Sequence, residues 1–204
     1  MLEHDGSGFT MTKASIKSEG KKICDAQLTF KTMPFPDPVF AKMIADRAAE
    51  QAMRAILAAE RPDDAILGEE FGTTKGTSGL MWVLDPIDGT RGYISGTPTW
   101  GVLIAVSDAT GPLFGIIDQP YIGERFVGGF GHATLDGPHG SMPLQTRPAT
   151  PLSNSIILST FPEVGTAKER RAFEAVAQAT KLTRYGMDCY GYGLLAAGQV
   201  DLVI

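Results

Sequence analysis

Cysteine is scarce in this chain of 204 residues: only Cys24 and Cys189 occur. Two cysteines so far apart offer neither a disulfide framework nor metal-ligand spacing, and they read as buried or free thiols of a reducing compartment. Long apolar runs are absent too. None approaches the roughly 18 residues that a membrane-spanning helix needs. The opening MLEHDGSGFTMT lacks the basic stretch and apolar segment of a secretion signal. No Lys/Arg run long enough to track a phosphate backbone exists, and 18 basic against 23 acidic residues leave a net charge of -5. The three histidines, His4, His132 and His139, are isolated from one another and read as non-catalytic. These absences point to a cytoplasmic protein without a nucleic-acid or membrane partner. A small anionic substrate remains open, because a bound cation can reverse the local field.

The composition, 43% hydrophobic and 20% charged, is that of a globular chain with a substantial core. KKICDAQLTF is a candidate short element, and PFPDP (34–38) excludes a helix through its alternate prolines. A helix is expected over Ala45–Glu60, with Ala45, Ala49, Ala52, Met53, Ile56 and Leu57 on the core stripe and Arg47, Glu50, Gln51 and Arg54 opposite. AILGEE reads as a short strand leading into Glu69 and Glu70, GTTKGTSG (72–79) as a loop, and LMWVL (80–84) as a buried strand. GVLIAVSD and PLFGIID form a hairpin, and RFVGGFGHATL a further strand pair. GPHGSMPLQTRPATPLSN is a polar boundary. After it come a strand at SIILST, a helix at Ala167–Lys181 with Ala172, Phe173, Val176 and Ala177 inward, a helix starting near Tyr190, and a strand at DLVI. The expected domains are therefore 1–140 and 141–204.

The densest chemistry lies in WVLDPIDGTRGYIS, from Trp82 to Ser95. Asp85 and Asp88 flank Pro86-Ile87 directly after the apolar strand. Pro86 stiffens the turn, Gly89 permits a backbone conformation that a side chain would obstruct, and Thr90 suits the N-cap of a short helix whose amides would favour an anion. Two ionised carboxylates held together repel unless a cation joins them. Mg²⁺ prefers oxygen ligands and suits a few carboxylates plus a substrate phosphate. With Glu69 and Glu70 from another strand end, the set would hold two metals about 4 Å apart, suited to phosphoryl transfer. Alone, Asp-Pro-x-Asp-Gly is a common turn and Glu-Glu a solvated pair. The spacing excludes an EF-hand loop, whose acids alternate, and Pro86 excludes the D-x-D nucleophile of haloacid-dehalogenase phosphatases.

The combination of ILGEE (66–70) with WVLDPIDGT (82–90) resembles the signature of the inositol monophosphatase family of Mg²⁺-dependent phosphatases. AlaAspArg (45–47), GIIDQPYIGERFVGG (115–129) and RYGMDCYGYGLLAAGQVDLVI (184–204) look most like its histidinol-phosphatase branch. The resemblance covers 45–204, leaving 1–44 poorly matched. It implies a layered α-β-α-β-α sugar-phosphatase fold of the α+β or α/β class. It also implies a homodimer and a phosphomonoester hydrolase in which a metal-activated water attacks phosphorus in line. Glu69, Asp85, the Ile87 carbonyl and Asp88 match the family's metal ligands. Thr90 matches the water-orienting threonine and Asp46 its supporting carboxylate, and Glu70 a secondary metal or water contact. The Gly89 and Thr90 amides match the phosphate cradle, and Asp188 a substrate-facing position. Arg91 would either help hold an anion or be solvated.

The resemblance implies histidinol phosphate, and thus histidine biosynthesis, with an inositol or sugar phosphate as the alternative. Two departures are visible. The family continues beyond the strand matching DLVI to a further metal-binding aspartate, so the C-terminal α/β layer and the last Mg²⁺ site are expected to be incomplete. Apolar surface around Leu194, Leu195 and Val203 would then be exposed or covered by a partner subunit, and a fragment that binds metal and phosphate without turnover is the alternative of another class. In addition, DPVFAKMIAD replaces the usual threonine-containing approach to Asp46.

Overall fold

The structure, a computed structural model, describes residues 9–18, 21–30, 38–163 and 165–204. Strands β1 (Phe9–Ser18) and β2 (Lys21–Phe30) pair antiparallel. Helix α1 spans Pro38–Glu60 and so begins well before the expected Ala45. Pro38 opens it, at a position where a missing amide hydrogen and a fixed φ suit the first turn. The rest of PFPDP lies outside the described residues.

An eight-stranded sheet follows, in the order β10-β9-β8-β7-β6-β5-β3-β4. Its members are β3 (Ala65–Gly68), β4 (Gly72–Thr74), β5 (Met81–Asp88), β6 (Gly101–Asp108), β7 (Gly111–Gln119), β8 (Glu124–Gly129), β9 (His132–Gly137) and β10 (Gly140–Pro143). The short helix α2 (Thr90–Ser95) separates β5 from β6. Neighbouring strands are antiparallel except β3 and β5, which run parallel. Two stretches read as loop or boundary contain strands: Gly72–Thr74 pairs with β3, and Gly140–Pro143 pairs with β9. The boundary expected at residue 140 therefore falls at a strand of the large sheet, and the polar run continues after it.

One face of this sheet is dry. Ile66, Trp82, Leu84, Val106, Phe114 and Ile116 pack there against Ala49, Met53 and Leu57 of α1. Each fully buried aliphatic side chain in such a core contributes about 1.5–3 kcal/mol. The Trp82 indole N–H also donates to Asp64 at 2.9 Å, so its one polar atom is satisfied.

The C-terminal layer is a three-stranded parallel sheet in the order β12-β11-β13, built from β11 (Ile156–Ser159), β12 (Leu182–Tyr185) and β13 (Leu202–Val203). Helices α3 (Ala167–Ala179) and α4 (Asp188–Ala196) connect the strands. On α3 the apolar face is carried by Phe173, Val176 and Ala177, whereas Ala172 is exposed. Leu194, Leu195 and Val203 are half-buried rather than fully exposed. Exposed apolar residues lie in both layers: Leu182, Tyr185, Tyr192 and Ile204 in the C-terminal one, and Leu67, Met81 and Val83 on the face of the large sheet away from α1. A cavity of about 850 Å³ separates part of that face from α4 and β13.

Candidate active site

Strand β5 runs on through the DPID motif, although Pro86 reads as a strand breaker. Asp85 pairs with Leu103 and Asp88 with Gly101, so Pro86 and Ile87 together oppose Val102. This is a β-bulge. In a regular strand, residues three apart face opposite sides. The extra residue shifts the alternation, and both Asp85 and Asp88 line the same cavity while Pro86 and Ile87 are buried. Proline, with no amide hydrogen to lose, suits the unpaired position.

The parallel strand β3 ends beside β5. The Glu69 amide continues the ladder by donating to the Leu84 carbonyl at 3.2 Å. Glu69 and Glu70 thus sit in the β3–β4 turn at the strand ends that carry the motif. Burial, then the Glu69 charge and a hydrogen bond with it, then the Asp88 charge, raise Asp85 to about 7, and Lys42 opposes the shift. Asp85 Oδ1 is buried and has no hydrogen-bond partner.

Helix α1 approaches the same strand ends from the dry face. Asp46, 1% exposed, forms an ion pair with the buried Lys42 one turn earlier. Beyond that pair, neither Asp46 oxygen has a hydrogen-bond partner. Burial lifts Asp46 to about 6, with Lys42 lowering it and Glu70 and Glu69 adding to the rise. In α2, burial and then the Asp46 charge raise Tyr93.

Helix α4 closes the opposite side. Its Cys189 amide donates to Asp88 Oδ2 at 2.6 Å. Asp188 has a left-handed backbone with φ 44°, and its Oδ2 lies over Gly89, where a Cβ would come within 2.9 Å. Gly89, at φ 85°, is therefore required both for its turn and for this approach. Burial and Asp88 raise Asp188, and Arg91 lowers it.

Of the expected site residues, the structure groups Asp46, Glu69, Glu70, Asp85 and Asp88 electrostatically and brings Asp188 to Gly89. Ile87 stands in the bulge with its side chain 1% exposed. Thr90 is the first residue of α2 rather than its N-cap, which is Gly89 and makes no side-chain cap. Arg91 is exposed, with its guanidinium 4.2 Å over the Phe161 ring. Cys189 is a buried free thiol, as expected without a disulfide framework, and Tyr192 is 55% exposed at the cavity's edge.

Two contributors were not legible as site residues. Glu50, placed on the solvent side by periodicity, is 0% exposed, and Lys42 carried no motif. The signal for both was their spacing from Asp46: Lys42, Asp46 and Glu50 are four apart and share one helix face.

The side chains fit a hard cation. The donors are carboxylate oxygens and a carbonyl, three of the carboxylate oxygens are buried without hydrogen-bond partners, and the cluster's charges raise one another. Among the described residues, no three acidic, His or Cys side chains already converge on one ion position. The carboxylates instead satisfy themselves locally, Asp85 on Glu69 and Asp88 on the Cys189 amide.

Known proteins share this architecture. The chain is similar to the chloroplastic bifunctional phosphatase IMPL2 of Arabidopsis thaliana, 42% identical over 79% of this chain and 46% of that protein. It is 32% identical to a histidinol-phosphatase of Mycobacterium tuberculosis, over 98% of this chain and 78% of the relative. The chain thus spans about half to three-quarters of the length of these relatives. Its fold superposes on an inositol monophosphatase from Zymomonas mobilis with a TM-score of 0.72 at 38% identity, covering 89% of this chain and 68% of the other. Among the described residues, no helix is long and apolar enough to cross a membrane. The family model of inositol monophosphatases matches residues 38–204, the same span that holds both sheets around the DPID bulge, and the chain belongs to the inositol monophosphatase family.

Proposed function

We propose that this chain carries a Mg²⁺-dependent phosphomonoester hydrolase site and acts on histidinol phosphate. The observation that supports it most is the cluster of facing carboxylates at the ends of β3 and β5, where the buried Asp85 Oδ1 has no hydrogen-bond partner. Glu69, Asp85, the Ile87 carbonyl and Asp88 would hold the cations. Bound Mg²⁺ supplies Lewis acidity at the phosphoryl oxygens.

The remaining chemistry belongs to the chain. The Gly89 and Thr90 amides lie ahead of the Tyr93 amide, which bonds to the Gly89 carbonyl at 2.9 Å, and they face the substrate phosphate. The exposed Thr90 hydroxyl orients the attacking water. Asp46, raised by burial to about 6, accepts its proton, and Glu70 gives a further oxygen contact. The water oxygen bonds to phosphorus as the ester P–O bond breaks, the leaving oxygen takes a proton from solvent and Asp46 returns its own to solvent, so the products are inorganic phosphate and the alcohol. Asp188 and Arg91 sit on the substrate side, where an acid suits the cationic body of histidinol. The names of several relatives, histidinol-phosphatases at 32–34% identity, support that substrate over an inositol or sugar phosphate. The family resemblance extends the reading to a cytoplasmic homodimer.

The test is phosphate release from histidinol phosphate, inositol 1-phosphate and glycerol 2-phosphate with and without Mg²⁺. Release should be fastest from histidinol phosphate, stop on chelation, and vanish in Asp88→Asn. No release from any of the three would overturn the reading. Cation uptake without release would favour the binding-only alternative.

A further inference from the structure

Glu50 is a carboxylate buried at 0% exposure in α1, one helical turn after Asp46. Burying a charge is costly unless donors surround it. Its donors come largely from one place. Glu50 Oε2 accepts the Glu70 amide at 2.7 Å, and Oε1 accepts the Phe71 amide at 3.3 Å. Oε1 also accepts Arg54 Nε at 2.7 Å. Arg54 then reaches the same turn from its other side, donating to Thr74 Oγ1 at 2.9 Å and to the Gly72 carbonyl.

The turn is shaped to admit this carboxylate. A Cβ on Gly68 would stand 1.9 Å from Glu50 Oε1, so only glycine lets the end of β3 come this close. Phe71 is 42% exposed, yet its ring lies under Arg47, whose Cζ is 4.5 Å from the centroid, and near Arg54 at 5.9 Å. Arg47 Nη1 is also 3.8 Å from Glu70 Oε2. The backbone of residues 70–72 is thereby fixed from α1. That backbone sets where the carboxylates of Glu69 and Glu70 project towards Asp85 and Asp46.

We propose that Glu50 is a positioning residue, which aims Glu69 and Glu70 at the carboxylate cluster by holding the amides of residues 70 and 71. It touches neither substrate nor cation and acts through the turn. The role rests on the proposed function insofar as Glu69 and Glu70 serve the site described there. It also explains why a carboxyl group is kept fully buried one helical turn beyond Asp46.

The experiment compares wild type with Glu50→Gln, Glu50→Asp and Ala49→Gly. Ala49 is the buried neighbour on α1, and its replacement weakens the helix without touching the turn. Each protein is titrated with Mn²⁺ alone, without substrate, and its melting temperature is recorded. Losing the support behind a ligand weakens metal affinity by about 10- to 100-fold. Glu50→Gln should show a loss of that size, Glu50→Asp a smaller one, and Ala49→Gly none beyond twofold despite a comparable drop in melting temperature. Affinity that follows melting temperature across all variants, or an unchanged affinity in Glu50→Gln, would overturn the proposal. If wild type itself takes up no Mn²⁺, the proposed function fails and Glu50 is judged on the metal-free protein. Faster hydrogen exchange at the Glu70 and Phe71 amides in Glu50→Gln than in Ala49→Gly then supports its role, and equal exchange refutes it.

Discussion

Two groups of acidic side chains in this molecule are treated in opposite ways. At the edge of the C-terminal sheet, Asp201 is fully partnered. It accepts Arg147 Nε at 2.5 Å and the Ile156 amide at 2.6 Å, and the Arg147 hydrogen bond and then the Ile156 amide hold its pKa below the usual carboxylate value. At the ends of β3 and β5, Asp85 and Asp46 face other acids and keep oxygens without hydrogen-bond partners, and their pKa values rise to about 7 and about 6. A carboxylate surrounded by donors ties chain segments together. A carboxylate surrounded by carboxylates destabilises the fold and is retained where it has a ligand to meet.

The comparison is broken most strongly by exchanging the two environments. Asp201→Ala should lower the melting temperature by several degrees, because it frees the Arg147 side chain and the start of β11. Asp85→Asn should leave the metal-free melting temperature unchanged or raise it, because it relieves repulsion, while abolishing phosphate release. Equal destabilisation by both would erase the distinction.

The pH dependence sharpens it next. Asp201 has a lowered folded pKa, so its stabilisation is present above the unfolded value near 3.8 and is lost as pH falls through the folded value. Asp85 is the reverse. Its folded pKa is raised, so the metal-free protein loses stability as pH rises from 3.8 towards about 7. Melting curves of Asp85→Asn should lose the part of that second slope that extends to about 7, keep the part that Asp46 contributes up to about 6, and keep the first slope.

A smaller effect belongs to Lys42, the cation inside the acidic cluster. Lys42→Gln should lower metal-free stability and tighten Mn²⁺ binding a few-fold, read by titration, because Asp46 loses its only ion-pair partner among the described residues. The smallest belongs to Tyr190, whose hydroxyl donates to Glu124 Oε2 at 2.9 Å and whose pKa is pushed up to about 12, first by burial and then by Glu124. Its stabilisation is complete below the unfolded value of 10.0 and disappears as pH rises towards about 12. Tyr190→Phe should flatten the alkaline limb of the stability profile.

Much of this arrangement was legible in the sequence. The strand before DPID, the short helix after it, the hairpin of β6 and β7 and the acidic pair after β3 follow from alternation, glycine and proline placement, and apolar runs. The bulge was not, because a proline in a strand reads as a stop until register shows which partner residue it opposes. Glu50 was missed for a related reason. Helical periodicity assigns charged residues to solvent, and only the tertiary approach of Gly68 and the two turn amides makes an interior charge tolerable. Thr90 reads as a cap because its residue type favours that position, but the left-handed Gly89 takes it instead.

The most direct test of the central claim is cation titration of the metal-free chain by calorimetry in buffers of different ionisation enthalpy. Groups that hold protons near neutral pH must release them when a cation binds. Wild type near pH 6.5, between the raised values of Asp46 and Asp85, should bind Mg²⁺ or Mn²⁺ with proton release, and Asp85→Asn should lose both affinity and part of that release. Binding without proton release, or no binding by wild type, would contradict the account.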